Sequence, residues 1–351
     1  MIDERPPARQ RIFITVAVIL GVIAALFMSL AGFWTDKLWF DSVSFGSVFT
    51  TTLMVKALLF IGAGALTGGL FAINMQLAYR GRPAFIPSTP EMAALQQYRN
   101  AFEPVRRVAV VVGALAFAFF AGTGAAQSWS TFLLWRNAEP FGSVDPQFGL
   151  DVSFFTFTLP WLRVVIGIAN SAIVISFLAA AAMHYIYGGL RPQAGERTSS
   201  AARVQLSVLG GFYLLIHAAS LWLDRFSLAI KDDSLITGLK YTDVHAVLPG
   251  TTTLAGIALV CAALFFANAV RKNWTLPILG AGLMVLSSIL VGGLWPSFVQ
   301  QIQVKPNEQA KESPYIDRNI VSTRAAYGLS DVQVESYDAV ENASASAFAE
   351  A

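Results

Sequence analysis

The sequence predicts an all-α protein: a polytopic bundle of about seven transmembrane helices followed by a short extracytoplasmic tail. Three observations predict it. Stretches at residues 12–34, 57–79, 108–129, 161–187, 204–223, 247–270 and 274–299 are long and free enough of charge to cross a bilayer, which takes about 20 mostly apolar residues. Hydrophobic residues make up 55% of the chain and charged residues only 13%, against about 25% charged in an average soluble domain. Tryptophans sit at the ends of the stretches, as at Trp34, Trp129, Trp161, Trp222, Trp274 and Trp295. Amphipathic rings favour the headgroup level, where one edge is wet and the body is apolar.

The first stretch follows Arg5, Arg9 and Arg11, as a signal peptide would. Its uncharged run, Ile12–Thr35, exceeds the roughly 7–15 residues of a cleavable core. No small-x-small site closes it before Trp34 and Trp39, so an uncleaved first helix is expected. The second stretch carries Gly62, Gly64, Gly68 and Gly69, and the third Gly113, Gly122 and Gly124. The seventh carries Gly280, Gly282, Gly292 and Gly293. Small residues let helix backbones approach closely in lipid.

Between the second and third stretches, Glu91–Glu103 has a helical pattern in Met92, Leu95, Tyr98 and Phe102, flanked by prolines. A short cytoplasmic interfacial helix is expected there. Gly188–Ala202 reads as a solvated loop, and Arg271, Lys272 and Asn273 as a tight hairpin. Pro160 and Pro249 stand at helix starts, where proline is tolerated. Pro277 and Pro296 lie near the ends of the seventh helix, so no broken helix is expected, and no internal repeat is evident.

Alternate connections carry 13 Lys and Arg on one side and seven on the other. The positive-inside rule puts the first side in the cytoplasm. The expected localisation is the plasma membrane, multi-pass, with the amino terminus cytoplasmic and the carboxyl terminus extracytoplasmic. A net charge of +2 with no basic run gives no reason to expect nucleic acid. The lone Cys261 reads as a small buried or lipid-facing residue, and no Cys/His spacing suits a metal. No cofactor is expected.

Two outer connections are unusual. Residues 130–157 combine many phenylalanines with Pro140, Gly142, Pro146 and Gly149. The other, residues 224–249, ends in Asp243 and His245. So aromatic a pair, with balanced charge, is expected to pack together as a semi-ordered cap.

The segment Asp145-Pro-Gln-Phe-Gly-Leu-Asp-Val-Ser-Phe-Phe resembles a signature of uncharacterised protein family 0182. So do Tyr241-Thr-Asp-Val-His-Ala-Val-Leu-Pro and the run from Val304-Lys-Pro-Asn-Glu-Gln to Thr323-Arg-Ala-Ala-Tyr-Gly-Leu329. Leu38-Trp-Phe and His184-Tyr-Ile-Tyr-Gly-Gly match as well. The resemblance implies a bacterial polytopic membrane protein with a large extracytoplasmic region and brings no catalytic residues. The chain departs from the family by stopping at Ala351 and reads as a truncation. Residues 1–303 are expected as the membrane domain and 304–351 as the start of the outer region. Asp317–Tyr327 is expected to form one amphipathic helix, and Glu341–Ala351 to be disordered.

Polar groups at membrane depth are costly, so they mark function or helix pairing. His217 is a proton-relay or substrate-contact candidate, or a hydrogen bond to a neighbouring helix. Lys56 and Arg163 either snorkel to the interface or pair with Asp36, Asp41, Asp145, Asp151 or Asp224 in an outer vestibule. The candidate polar path is thus His217, Arg163 and Lys56, and the candidate outer motif Asp145, Asp151, Asp243 and His245. No catalytic pattern is present: no H-E-x-x-H, G-x-S-x-G, Walker lysine or C-x-x-C. Two readings remain. One is a bundle that anchors or assembles an extracytoplasmic domain, with the lipid bilayer, a second copy or other envelope proteins as partners. The other is a transporter or channel using that path.

Overall fold

The computed structural model describes residues 8–83, 90–191, 198–233, 236–271, 274–333 and 335–336. The chain forms α1 (Ala8–Ser42), α2 (Gly46–Arg80), α3 (Pro90–Phe102), α4 (Arg106–Gln127), α5 (Trp129–Arg136) and α6 (Leu159–Ile186). After these come α7 (Ser200–Ser227), α8 (Leu248–Arg271), α9 (Thr275–Ser287), α10 (Trp295–Phe298) and α11 (Glu308–Ala326). Among the described residues there is no strand, only isolated bridges at Val144–Asp151 and Leu190–Thr198. Seven helical stretches are long and apolar enough to cross a membrane. A helix stands where one is expected at Glu91–Glu103: it is α3.

Several helices run past the apolar runs that predict them. α1 continues to Ser42 because its polar end is helical too: Lys37 Nζ meets Asp41 Oδ2 at 2.6 Å, an i,i+4 pair. Ser44, with φ 64°, turns the chain into α2. Lys56 therefore lies well inside α2, not at the mouth of a span starting at residue 57. Of the expected loop and hairpin, residues 192–197 and 272–273 lie outside the described residues, as does Glu341–Ala351.

The helices pack as a row. α2 sits between α4 and α6, α6 meets α7, α7 meets α8, and α8 meets α9. The α2–α4 seam is built by glycines. A Cβ on Gly68 would stand 2.7 Å from Ala114 O, and one on Gly64 would stand 2.8 Å from Ala118 O. Gly62, Gly69 and Gly124 have nothing within 4 Å and play no part in it. The α7–α8 seam holds a buried polar pair, with Asn268 Nδ2 donating to Ser207 Oγ at 2.6 Å. Cys261 is buried and reaches Gly280 O at 3.1 Å.

Proline shapes the rest. Its ring removes a backbone donor and clashes with the carbonyl four residues back. A π-turn bonds five residues back instead and accommodates it. Pro160 and Pro249 follow the π-helical turns Phe154–Thr158 and Asp243–Val247. Pro296 lies between two more, Ser288–Leu294 and Val299–Val304. These absorb the proline without ending the helix. The last span does not stop near Val299, as its apolar run predicts; helical turns carry it on as a rod to Lys305–Asn307, where Asn307 (φ −143°, ψ 47°) leaves helical geometry and bends the chain into α11. The helix expected at Asp317–Tyr327 begins earlier, as α11 at Glu308, and ends at Ala326; Ile320 and Val321, expected on its apolar side, are exposed.

The chain also uses one local plan twice, although no repeat is evident in the sequence. Asp151-Val leads through a π-turn to Leu159-Pro160 and α6; Asp243-Val leads through a π-turn to Leu248-Pro249 and α8. The differing spacing between Asp-Val and Leu-Pro hides the correspondence.

Candidate functional site

Three segments meet beyond the end of the row that carries Arg163 and Asp224. They are the loop before α6, the loop before α8, and α11. Asp145 Oδ1 accepts from the amides of Gln147 and Phe148 at 3.0 and 2.7 Å and closes the first loop into a turn. Phe148 packs against Phe155 and Phe226, joining the loop to α7. In the second loop, buried Asp243 accepts from Lys231 Nζ at 3.2 Å and from the Lys240 amide at 3.0 Å. His245 lies parallel to Tyr241 with ring centroids 4.0 Å apart, its Nδ1 3.0 Å from Tyr241 O.

α11 fastens both loops. Glu312, 6% exposed, accepts from the Tyr241 amide at 3.0 Å. Lys311 Nζ donates to the Tyr241 hydroxyl at 3.3 Å. Asn319 Nδ2 donates to Thr237 O at 3.0 Å, and Arg318 Nη1 to Gln147 Oε1 at 3.3 Å. Thr242 donates to Gln300 on the rod below. A cavity of about 250 Å³ remains, walled by Asp145, Thr237, Tyr315, Arg318 and Asn319. Sequence reading missed Glu312, Lys311 and Asn319 because nothing in a helical register shows what stands across from it.

Asp151 has a different task. Its carboxylate accepts from the amides of Phe141, Gly142 and Ser153 at 3.0, 2.9 and 2.8 Å. The Ser153 hydroxyl, then the Ser153 and Phe141 amides, hold its pKa down at about 2. A depressed folded value stabilises the loop above the unfolded pKa and is lost as pH falls through the folded one. Exchange protection of the Phe141 and Gly142 amides should therefore hold at pH 5 and fade between about pH 4 and pH 2. Fading centred near pH 6 would contradict this. Asp145, Asp151 and Asp243 each use their carboxylates to close local backbone.

The structure brings His217 and Arg163 together and leaves Lys56 apart. Arg163 Nη2 meets Asp224 Oδ1 at 2.7 Å and also reaches Ser227. Arg163, Asn170, His217 and Ser220 line one cavity of about 220 Å³ between α6 and α7. Lys56 instead stands over the Trp129 ring, 5.3 Å from its centroid. Among the described residues no three His, Cys, Asp or Glu side chains gather as metal ligands.

At the opposite end sits a cluster no motif announced. Tyr79 donates to Glu103 Oε1 at 2.6 Å and Tyr187 to Glu103 Oε2, tying α2 and α6 to the start of α4. The Arg106 guanidinium lies 3.5 Å from the Tyr79 ring centroid. Buried His184 pairs with Gln205 at 2.9 Å, and Gln205 donates to Asn74 O and Oδ1 at 2.9 and 3.0 Å.

A family model described as Uncharacterised protein family (UPF0182) matches residues 13–351. The chain belongs to this family. It is 48% identical over 338 residues to a UPF0182 protein of Thermobifida fusca, covering 95% of this chain and 33% of that one. It is 46% identical over 342 residues to one of Nocardioides sp., covering 96% and 34%. A Streptomyces coelicolor relative is 45% identical over 339 residues, covering 95% and 34%. The chain spans about a third of the length of these curated relatives. No solved structure matches it. The stretches that resemble UPF0182 signatures around Asp145, Tyr241 and Glu308 are the segments that meet in the cluster at α11.

Proposed function

We propose that this UPF0182 chain is a multi-pass protein of the bacterial plasma membrane whose bundle anchors and aims an extracytoplasmic region. The amino terminus lies in the cytoplasm and α11 outside. The carrying observation is α11: it follows the last span directly, after the bend at Asn307, and is hydrogen-bonded to the loops before α6 and α8. A helix clasped at the exit of the last span transmits the orientation of the bundle to an outer region joined to it. Relatives about three times as long supply such a region on this reading. The bilayer is the first partner, with a second copy or other envelope proteins as protein partners. Reporter fusions after Arg197 and after Lys311 should report opposite sides, the first cytoplasmic. Same-side activity would sink the topology.

Transport is the second reading, favoured by the cavity that Arg163 and His217 share. Lys56 stands outside it. Liposomes holding the protein should be no leakier to protons or potassium than empty ones. A flux abolished by both Arg163→Gln and His217→Ala would favour transport instead.

A further inference from the structure

The cavity at Arg163 does not stand alone. A second one, of about 520 Å³, lies against Val174, Phe177, Leu214, Phe265, Met284 and Val285. Tyr213 and His217 line both. Their rings are parallel, with centroids 6.1 Å apart, and form the shared wall. The first cavity is polar and the second apolar, and both helices give the same order. Along α6 come Arg163 and Asn170, then Val174 and Phe177; along antiparallel α7, Ser220 and His217 come before Leu214 and Gly210 when read from the same end.

The length of this gradient is informative. From Arg163 to Phe177 the helix rises about 20 Å, slightly more than one leaflet of a core about 30 Å thick. A polar head at one interface and an apolar body ending near the midplane describe a single lipid. The volume of the lower cavity falls in the range of about 300–1,000 Å³ usual for small-molecule sites. The head end carries two opposite charges side by side, Arg163 and Asp224, 43% and 40% exposed. Among the described residues Arg163 makes its hydrogen bonds through Nη2 alone, which leaves Nε and Nη1 for a ligand. A phosphate suits those donors, and an ammonium next to it suits the Asp224 carboxylate. A purely anionic head would set its charge against Asp224.

We propose that α6, α7 and α9 hold one phospholipid with a zwitterionic phosphate–ammonium head on the Arg163–Asp224 pair and an acyl chain in the apolar cavity. This needs the helices to be in a membrane but is independent of the anchoring role. A second groove, near Leu70 and Val208, has no charged side chain in its lining and serves as the control.

The test is native mass spectrometry of the full chain released from nanodiscs of equimolar phosphatidylethanolamine and phosphatidylglycerol. The wild type should retain one phosphatidylethanolamine in preference to phosphatidylglycerol. Arg163→Gln should cut that retention about tenfold, the worth of one charge-assisted hydrogen bond. Ala281→Trp, which fills the lower cavity, should cut retention of both lipids, and Val208→Trp should change neither. Asp224→Asn should move the preference towards phosphatidylglycerol, which keeps the charge argument testable even if Arg163→Gln folds poorly. Equal retention of the two lipids by the wild type would overturn the proposal. So would retention unaltered by Ala281→Trp, or a preference unmoved by Asp224→Asn.

Discussion

Gly68→Ala is expected to destabilise the bundle by about 1–3 kcal/mol, the usual cost of overpacking. Alanine is the better helix former by about 1 kcal/mol, so propensity alone predicts the opposite sign. The difference lies in the space available. The new Cβ would stand 2.7 Å from Ala114 O and 2.9 Å from Ala118 Cβ. The first is backbone, which cannot swing aside, so α2 and α4 must part along a seam set by close approach. Gly69→Ala carries the same propensity change but meets nothing within 4 Å. Thermal unfolding in detergent should show Gly68→Ala melting lower and Gly69→Ala unchanged or higher. Equal melting temperatures would mean the α2–α4 seam has room for a methyl group.

Glu312→Ala should loosen the hold of α11 on the loop before α8, leaving the Lys311–Tyr241 and Asn319–Thr237 bonds. Glu312 is 6% exposed and takes the Tyr241 amide. Its loss leaves a half-buried backbone donor unpaired, which costs about 1–3 kcal/mol. The effect should stay local, because α7, α8 and α9 pack through apolar contacts and the Asn268–Ser207 bond far from Glu312. Hydrogen exchange should speed up at Tyr241–His245 and hardly change within α8. Uniform acceleration across α8 would contradict a separable clasp, and no acceleration at Tyr241 would remove Glu312 from it.

Apolar patterning dictates how much of this fold is legible in the sequence. A helix able to cross a bilayer is apolar along its length, so the seven long apolar helices among the described residues, and α3, can be read directly. Helix ends cannot. Once backbone enters polar surroundings, helix and loop cost similar amounts, so the charges at Asp36, Lys37 and Asp41 and the polar run at Thr50–Thr52 break the apolar signal where α1 ends and α2 begins. Pro296 misleads in the other direction. A proline suggests a helix end, but π-turns on either side carry the helix through to Val304, and the bend comes only at Asn307. At the sites, Arg163 and His217 are visible as costly groups in apolar runs. Their shared cavity depends on the α6–α7 crossing, and the exclusion of Lys56 on α2 facing α5. The acceptor role of Glu312 and the two tyrosines on Glu103 depend on contacts 71 and 24 to 84 residues away in sequence. No local pattern encodes those distances.

The anchoring role requires α11 to be held rigidly against the loops before α6 and α8 at the exit of the last span. Pulsed electron spin resonance between nitroxides at Ser143, in the loop before α6, and Ser322, on α11, measures this directly. Both side chains are exposed, so labelling leaves the packing intact. A rigid clasp predicts one narrow distance distribution in nanodiscs, which broadens when Glu312→Ala and Asn319→Ala are combined. A broad distribution in the unaltered protein would show α11 swinging free of the loops, and the bundle could not then aim an extracytoplasmic region.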